Sequence, residues 1–390
     1  MIRRYKINYE NSYSHIGGSN YYLPCEITHW TSQIYYNDKE KYEFSKKIKR
    51  ILGCSNETVF EGVSWGYYQD PYIQIYNGIE YKNFYNMYTI NTVISDPIKI
   101  SKFTDSYERI SPENIQEGEQ SKGGNFISAP NHTIFCVNGA KIELLDKLRS
   151  DTTKQIVELE CGFKGGISEE FPNGSFRHID ELMCFMPYGV GEYKVWFYDQ
   201  LDETSFQKLL QNHQSLNNIV QNNNNEIDTY RKLYYEYNSQ KNKQLADKYW
   251  DCRQKLVNET KNITNEYIRQ TIQELNDERM RNLEKISMAL FEKPFSECTS
   301  KFVFFKFYSY KPSILNRVWY ETNEKCICLF PDINDPAIKQ QVMEEMRDVS
   351  SYITPGIKPE FHFITVPTPD ELIPEGTVHC LIKQRFVKPN

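Results

Sequence analysis

The chain has 390 residues, 39% of them hydrophobic, and a formal net charge of −6. That length can bury a sizeable core as one large domain or two ordinary ones. The small acidic balance, without a long basic block, speaks against a dedicated nucleic-acid binder, and no run of about 20 apolar residues is present to span a bilayer.

The first residues, Met1-Ile2-Arg3-Arg4-Tyr5-Lys6, carry charge with no apolar stretch behind it, so a signal peptide is not expected. Ten Cys without a secretory signal suit reduced thiols in the cytoplasm. The bias toward Asn, Tyr, Lys and Ile suits an A·T-rich genome, which adds a virus particle or an infected-cell cytoplasm as the alternative setting.

From the start to about residue 190, short apolar runs alternate with Gly and Pro turns. Tyr72-Ile73-Gln74-Ile75-Tyr76 followed by Asn77-Gly78 predicts a strand and a hairpin turn, and Thr133-Ile134-Phe135-Cys136-Val137 followed by Asn138-Gly139 predicts the same again. After Gly191 no Gly occurs until Gly356, and no Pro occurs between Pro187 and Pro294. Over about 203–293 apolar residues recur at helical spacing, as in Ile227, Tyr230, Leu233, Tyr234 and Tyr237, or Leu245, Tyr249, Cys252 and Leu256. This predicts long helices inserted into the main domain and packed as a bundle, with a break at Asn222–Asn225. A coiled-coil self-association through this segment is the sharper alternative.

Strand patterns return at Phe302–Phe305, Cys326–Phe330 and Phe361–Val366. A helix is expected from Pro336 to about Ser350, capped by Asp335. Strand, helix, strand in that order is an α/β unit. A last strand is expected at Thr377–Ile382.

Four places could carry chemistry. In Arg177-His178-Ile179-Asp180-Glu181, an extended backbone would send His178 and Asp180 to one face, ahead of the apolar run Leu182–Pro187. Cys380 is a candidate nucleophile. Its neighbour His379 would face the other way on a strand, so its base must come from elsewhere, and His178 is the candidate. Trp65-Gly66-Tyr67-Tyr68-Gln69-Asp70 places an acid among aromatics, a slot for a flat cation. Gly123-Gly124-Asn125 allows close backbone approach and a hydrogen-bonding amide. Each of these alone has a blander explanation: a solvated strand, a core thiol, or ordinary turns. Cys326 and Cys328 lack the second ligand pair of a zinc site, so core packing is the expectation there.

In this order, Gln69-Asp70, Gly123-Gly124-Asn125, His178-Ile179-Asp180-Glu181 and Val378-His379-Cys380, the chain resembles the guanidino-modifying enzymes, and among them the peptidylarginine deiminase catalytic domain. The resemblance runs from about Trp65 to Arg385 and finds no counterpart in residues 1–60. It implies an α/β fold, the pentein α/β propeller of about five αββαβ-like repeats, formed by residues 1–390 as a single catalytic domain with a long helical insertion at 203–293.

It also implies that Cys380 is the nucleophile, His178 the acid and base, and Asp70 and Asp180 the carboxylates that grip a guanidinium. Asn125, Trp65 and Arg385 complete the expected substrate contacts. The activity would be deimination of an arginine-containing protein, or, as the alternative, deiminase or amidinotransferase action on a free small guanidine such as agmatine or arginine; no nucleic acid or membrane partner is expected. A scaffold that keeps the fold without the chemistry, acting as a binding protein or a structural component of a particle, is the non-enzymatic alternative.

The chain departs from the family pattern in several places. Pro71 and Ile73 stand where the family carries calcium ligands, so no cofactor is expected and calcium activation by that route is not. Leu381-Ile382-Lys383 replaces Gly-Thr-Asn after the nucleophile, and Arg177 replaces Gly before His178.

Overall fold

The computed structural model describes residues 47, 50–51, 72–76, 81–86, 108–110, 126–131, 133–137, 155–160, 179–201, 214–306, 313–321, 326–352 and 354–365. The chain divides into two compact units, one formed by 1–161, 176–199 and 280–390, the other by 162–175 and 200–279.

Among the described residues, the first unit holds four three-stranded sheets. Their strands are β1 (Tyr72–Tyr76), β2 (Tyr81–Asn86) and β3 (Glu108–Ile110); β4 (Phe126–Ser128), β5 (Ile134–Val137) and β6 (Ile156–Leu159); β7 (Met183–Gly189), β8 (Glu192–Tyr198) and β9 (Phe302–Phe305); β10 (Val318–Glu321), β11 (Cys326–Pro331) and β12 (Glu360–Ile364). All four are wired alike. The first two strands of each sheet pair antiparallel, and the third joins the second in parallel. An antiparallel pair needs only a hairpin, whereas a parallel neighbour needs a crossover of a dozen residues or so. In the fourth sheet that crossover contains a helix.

The β1–β2 hairpin appears where its turn signal predicts it. The signal at Asn138-Gly139 misleads. β5 pairs antiparallel with β4, which precedes it, and its next partner β6 is parallel. The tight turn lies instead at Ala129–Thr133, where the Ala129 amide donates to the Thr133 carbonyl at 2.8 Å.

Apolar side chains join the second sheet to the third and the third to the fourth. Trp196 of β8, fully buried, lies with its ring centroid 4.6 Å from Phe305 and 6.0 Å from Phe330 of β11, while its indole N–H donates to the Tyr188 hydroxyl at 3.1 Å. Phe135 of β5 meets Phe185 of β7 at 6.2 Å. Each such side chain contributes about 1.5–3 kcal/mol through burial.

The helices of the described residues with stated bounds are, in chain order, α1 (Gln214–Ser239), α2 (Lys243–Phe291), the single turn α3 (Phe295–Cys298) and α4 (Pro336–Glu345). α4 starts as expected, with the Asp335 carboxylate accepting from the Ala337 and Ile338 amides at 3.1 and 3.3 Å, but it ends at Glu345 rather than near Ser350. It forms the crossover between the parallel strands β11 and β12. Within the same unit, the segment Met280–Phe291 of α2 packs on β6. The Asn282 amide accepts from the Glu160 N–H at 2.8 Å and donates to its carbonyl at 2.5 Å. α2 stops where Glu292 adopts a left-handed φ of 55°, two residues before Pro294.

In the second unit α1 and the part of α2 up to Arg279 form an antiparallel hairpin, not a larger bundle among the described residues. Asn223 donates to Thr260 at 2.9 Å near one end, and the rings of Tyr230 and Tyr237 stack on Tyr249 at 6.3 and 5.5 Å near the other. The apolar stripes read from the sequence thus meet inside the hairpin. The run Asn222–Asn225 does not break α1. The break lies at 240–242, where Lys241 takes a φ of 59° and Asn242 accepts from the Leu245 amide at 3.4 Å. Among the described residues no helix is long and apolar enough to cross a membrane.

Candidate active site

Asp180 is the one sequence-predicted site residue that the described structure contains. His178, Cys380, Asp70, Asn125, Trp65 and Arg385 lie outside the described residues, as does the expected strand Thr377–Ile382.

Asp180 does not sit on an extended strand. Ile179–Glu181 forms a turn of 3-10 helix, closed by the Leu182 amide donating to the Ile179 carbonyl at 3.0 Å. The strand starts only at Met183, so the alternation of side chains by two does not apply at Asp180. The physical reason is local: the backbone groups at the head of β7 satisfy one another within the turn before the ladder begins.

The carboxylate is nonetheless inside, with Asp180 1% exposed and its neighbours Ile179 and Leu182 at 0% and 1%. The turn packs against β4, β5 and β7, and the Leu182 carbonyl accepts from the Tyr198 amide at the end of β8 at 3.1 Å. Acidic side chains are seldom buried this deeply, because removing a carboxylate from water is costly without compensation. β4 begins at Phe126, the residue after Asn125, so the strand that follows the Gly-Gly-Asn motif abuts the turn that carries Asp180. The apolar run after it behaves as expected: Met183–Met186 are fully buried.

Behind β7 lies a charge that sequence reasoning did not single out. Arg317 is completely buried. Its guanidinium donates to the Phe185 carbonyl, contacts Met186 Sδ at 2.9 Å and lies 5.8 Å from the Trp319 ring centre. Next to it Trp319 donates to Glu321 Oε2 at 2.9 Å, and the other oxygen of Glu321, itself 1% exposed, accepts from the Ser351 hydroxyl. The sequence signal was an Arg set among apolar residues, Ile314-Leu315-Asn316-Arg317-Val318-Trp319, where a surface Arg would have polar neighbours.

Three thiols border this region. Burial pushes the Cys184 thiol up to about 11, against the opposing pull of Arg317. Burial also raises Cys326, helped by the Glu321 charge, and Cys328. Such thiols stay protonated at neutral pH and act as core side chains; Cys326 and Cys328 pack in β11 as expected. Among the described residues no group of three or more His, Cys, Asp or Glu is placed to hold a metal ion.

Compared with models of known protein families and with curated proteins, the chain matches none.

Proposed function

We propose that the chain is a deiminase of the peptidylarginine deiminase type, hydrolysing the guanidinium of an arginine residue to citrulline and ammonia. The observation that carries this reading is the buried carboxylate of Asp180, held in a turn beside the strand that follows Gly123-Gly124-Asn125. The identical wiring of the four sheets supports the fold side of it, because a repeat of order ββαβ gives a hairpin followed by a parallel crossover, which is the pairing seen four times. On this reading the sheets are blades of the propeller that the motif order implies.

A guanidinium is planar, cationic and stabilised by resonance. Carboxylates hold it through paired, charge-assisted hydrogen bonds, the role of Asp180 and Asp70. Its carbon is a poor electrophile, so a thiolate is needed, and Cys380 supplies it. Cys380 Sγ bonds to the guanidinium carbon, and one nitrogen leaves as ammonia with a proton from His178. A water, deprotonated by His178, then attacks the thiouronium carbon. The C–S bond breaks, the thiolate is restored, the hydroxyl proton passes to solvent, where it ends on the released ammonia as ammonium, and the urea group of citrulline remains. Pro71 and Ile73, standing where calcium ligands would be needed, make the reaction independent of calcium by that route.

The test is ammonia release from benzoyl-arginine amide, with and without calcium chelator. Wild-type protein releases ammonia in both conditions, and Cys380→Ala and His178→Ala release none. Turnover by the Cys380 variant would remove the nucleophile, and a wild-type protein inactive on this compound would leave the free small guanidine and scaffold readings.

A further inference from the structure

We propose that Ser313 is a positioning residue for Asp180: it pins the turn on which the carboxylate is presented. The proposal rests on reading Asp180 as a guanidinium-binding group. Ser313 is 6% exposed, and its hydroxyl lies 2.6 Å from the carbonyl of Glu181, the residue after Asp180. A serine hydroxyl has one proton to give and can accept as well. Here the acceptor role is taken by the Leu315 amide, which donates to Ser313 Oγ at 3.2 Å. The proton is therefore directed to Glu181, and the bond has a defined polarity.

Ser313 is itself held. The Asn316 amide donates to the Ser313 carbonyl at 3.1 Å and the Arg317 amide to Leu315 at 3.0 Å, so Ser313–Arg317 is a closed, buried turn. Its two ends grip the chain on either side of Leu182–Cys184, Ser313 at the Glu181 carbonyl and Arg317 at the Phe185 carbonyl. A 3-10 turn of three residues has little internal stability. An external clamp of this kind limits how far the Asp180 carboxylate can swing. Paired hydrogen bonds to a flat cation demand such accuracy, since a displacement of about 1 Å can cost a hundredfold in rate.

The experiment separates positioning from general packing by the charge of the ligand. Affinity is measured by calorimetry for benzoyl-arginine amide and for neutral benzoyl-citrulline amide, using Cys380→Ala protein with Ser313 intact or changed. Ser313→Ala is expected to weaken the cationic ligand about tenfold and leave the neutral one within about twofold. Ser313→Thr, which keeps the hydroxyl, is expected to restore binding. In Cys380-intact protein, Ser313→Ala lowers kcat/KM for ammonia release by a similar factor, mostly through KM.

Equal weakening of both ligands, or no weakening, overturns the role of Ser313 while leaving the deiminase reading in place. A wild-type protein that neither binds the arginine compound nor releases ammonia overturns both. If Ser313→Ala does not fold, Ser313→Cys, similar in size but a poorer donor, carries the same comparison.

Discussion

The side-chain amide of Asn282 bonds both backbone groups of Glu160, taking the N–H at 2.8 Å and giving to the carbonyl at 2.5 Å. It thus continues the edge of the sheet just beyond β6 as a further peptide group would. Asn276 does the same in the other unit, bonding the Leu201 N–H at 2.9 Å and its carbonyl at 3.1 Å. Asn282 is fully buried, so truncation leaves unpaired backbone groups behind. Asn282→Ala is expected to cost about 2–3 kcal/mol in urea unfolding. Asn282→Asp retains the acceptor and loses the donor, and brings a charge into the interior, so it is expected to be no better.

Arg317 is a buried cation whose planar fork reaches the Phe185 carbonyl and Met186 sulfur together. Lysine cannot reproduce that geometry. Arg317→Lys is expected to lower stability by about 3 kcal/mol or more, measured by chemical denaturation, despite keeping the charge. Unchanged stability would mean that the guanidinium shape has no part in holding β7.

Buried thiols make the fold sensitive to alkali. The Cys184 pKa is raised from 9.0 to about 11, so above pH 9 the unfolded chain releases a proton that the folded chain keeps. Its contribution is fully present below about pH 9 and is lost as the pH climbs toward 11, amounting to about 3 kcal/mol across that window. Cys326 and Cys328 shift in the same direction. The urea midpoint is expected to fall steeply between pH 9 and 11 and less steeply in Cys184→Ala. Parallel profiles for the two proteins would contradict this.

Asp180→Asn keeps shape and removes charge. With the carboxylate as a buried partner of a guanidinium, the loss in kcat/KM is expected to be about a hundredfold to a thousandfold, corresponding to about 3–4 kcal/mol. Ammonia release under subsaturating benzoyl-arginine amide reads it directly, and near-normal turnover would take Asp180 out of the site.

The unit β11–α4–β12 was legible because every level of the pattern agreed: Asp335 before Pro336 opens the helix, and apolar runs flank it. The run Asn222–Asn225 was misleading. Asn has a helix propensity only about 0.7 kcal/mol below Ala, and tertiary contacts outweigh that deficit here, with Asn223 bonded to Thr260 and Ile227 buried at 9% exposure. At the site, the sequence placed an acid against an apolar interior at Asp180, and the burial of Met183–Met186 bears that out. The backbone shape there was not readable, because a three-residue turn is decided by Leu182 and by Ser313 from far along the chain. The remaining candidates, Cys380, His178, Asp70, Asn125, Trp65 and Arg385, lie outside the described residues.

In the third sheet, β8 must wait for β9 while the ribosome makes roughly a hundred intervening residues, a delay of about 5–20 s at ordinary translation speeds. Throughout that interval the β8 edge, including Val195–Tyr198, which end up buried, has no third strand beside it. A nascent chain halted after the α1–α2 hairpin is expected to recruit chaperones or to aggregate, whereas one extended past Phe305 is not.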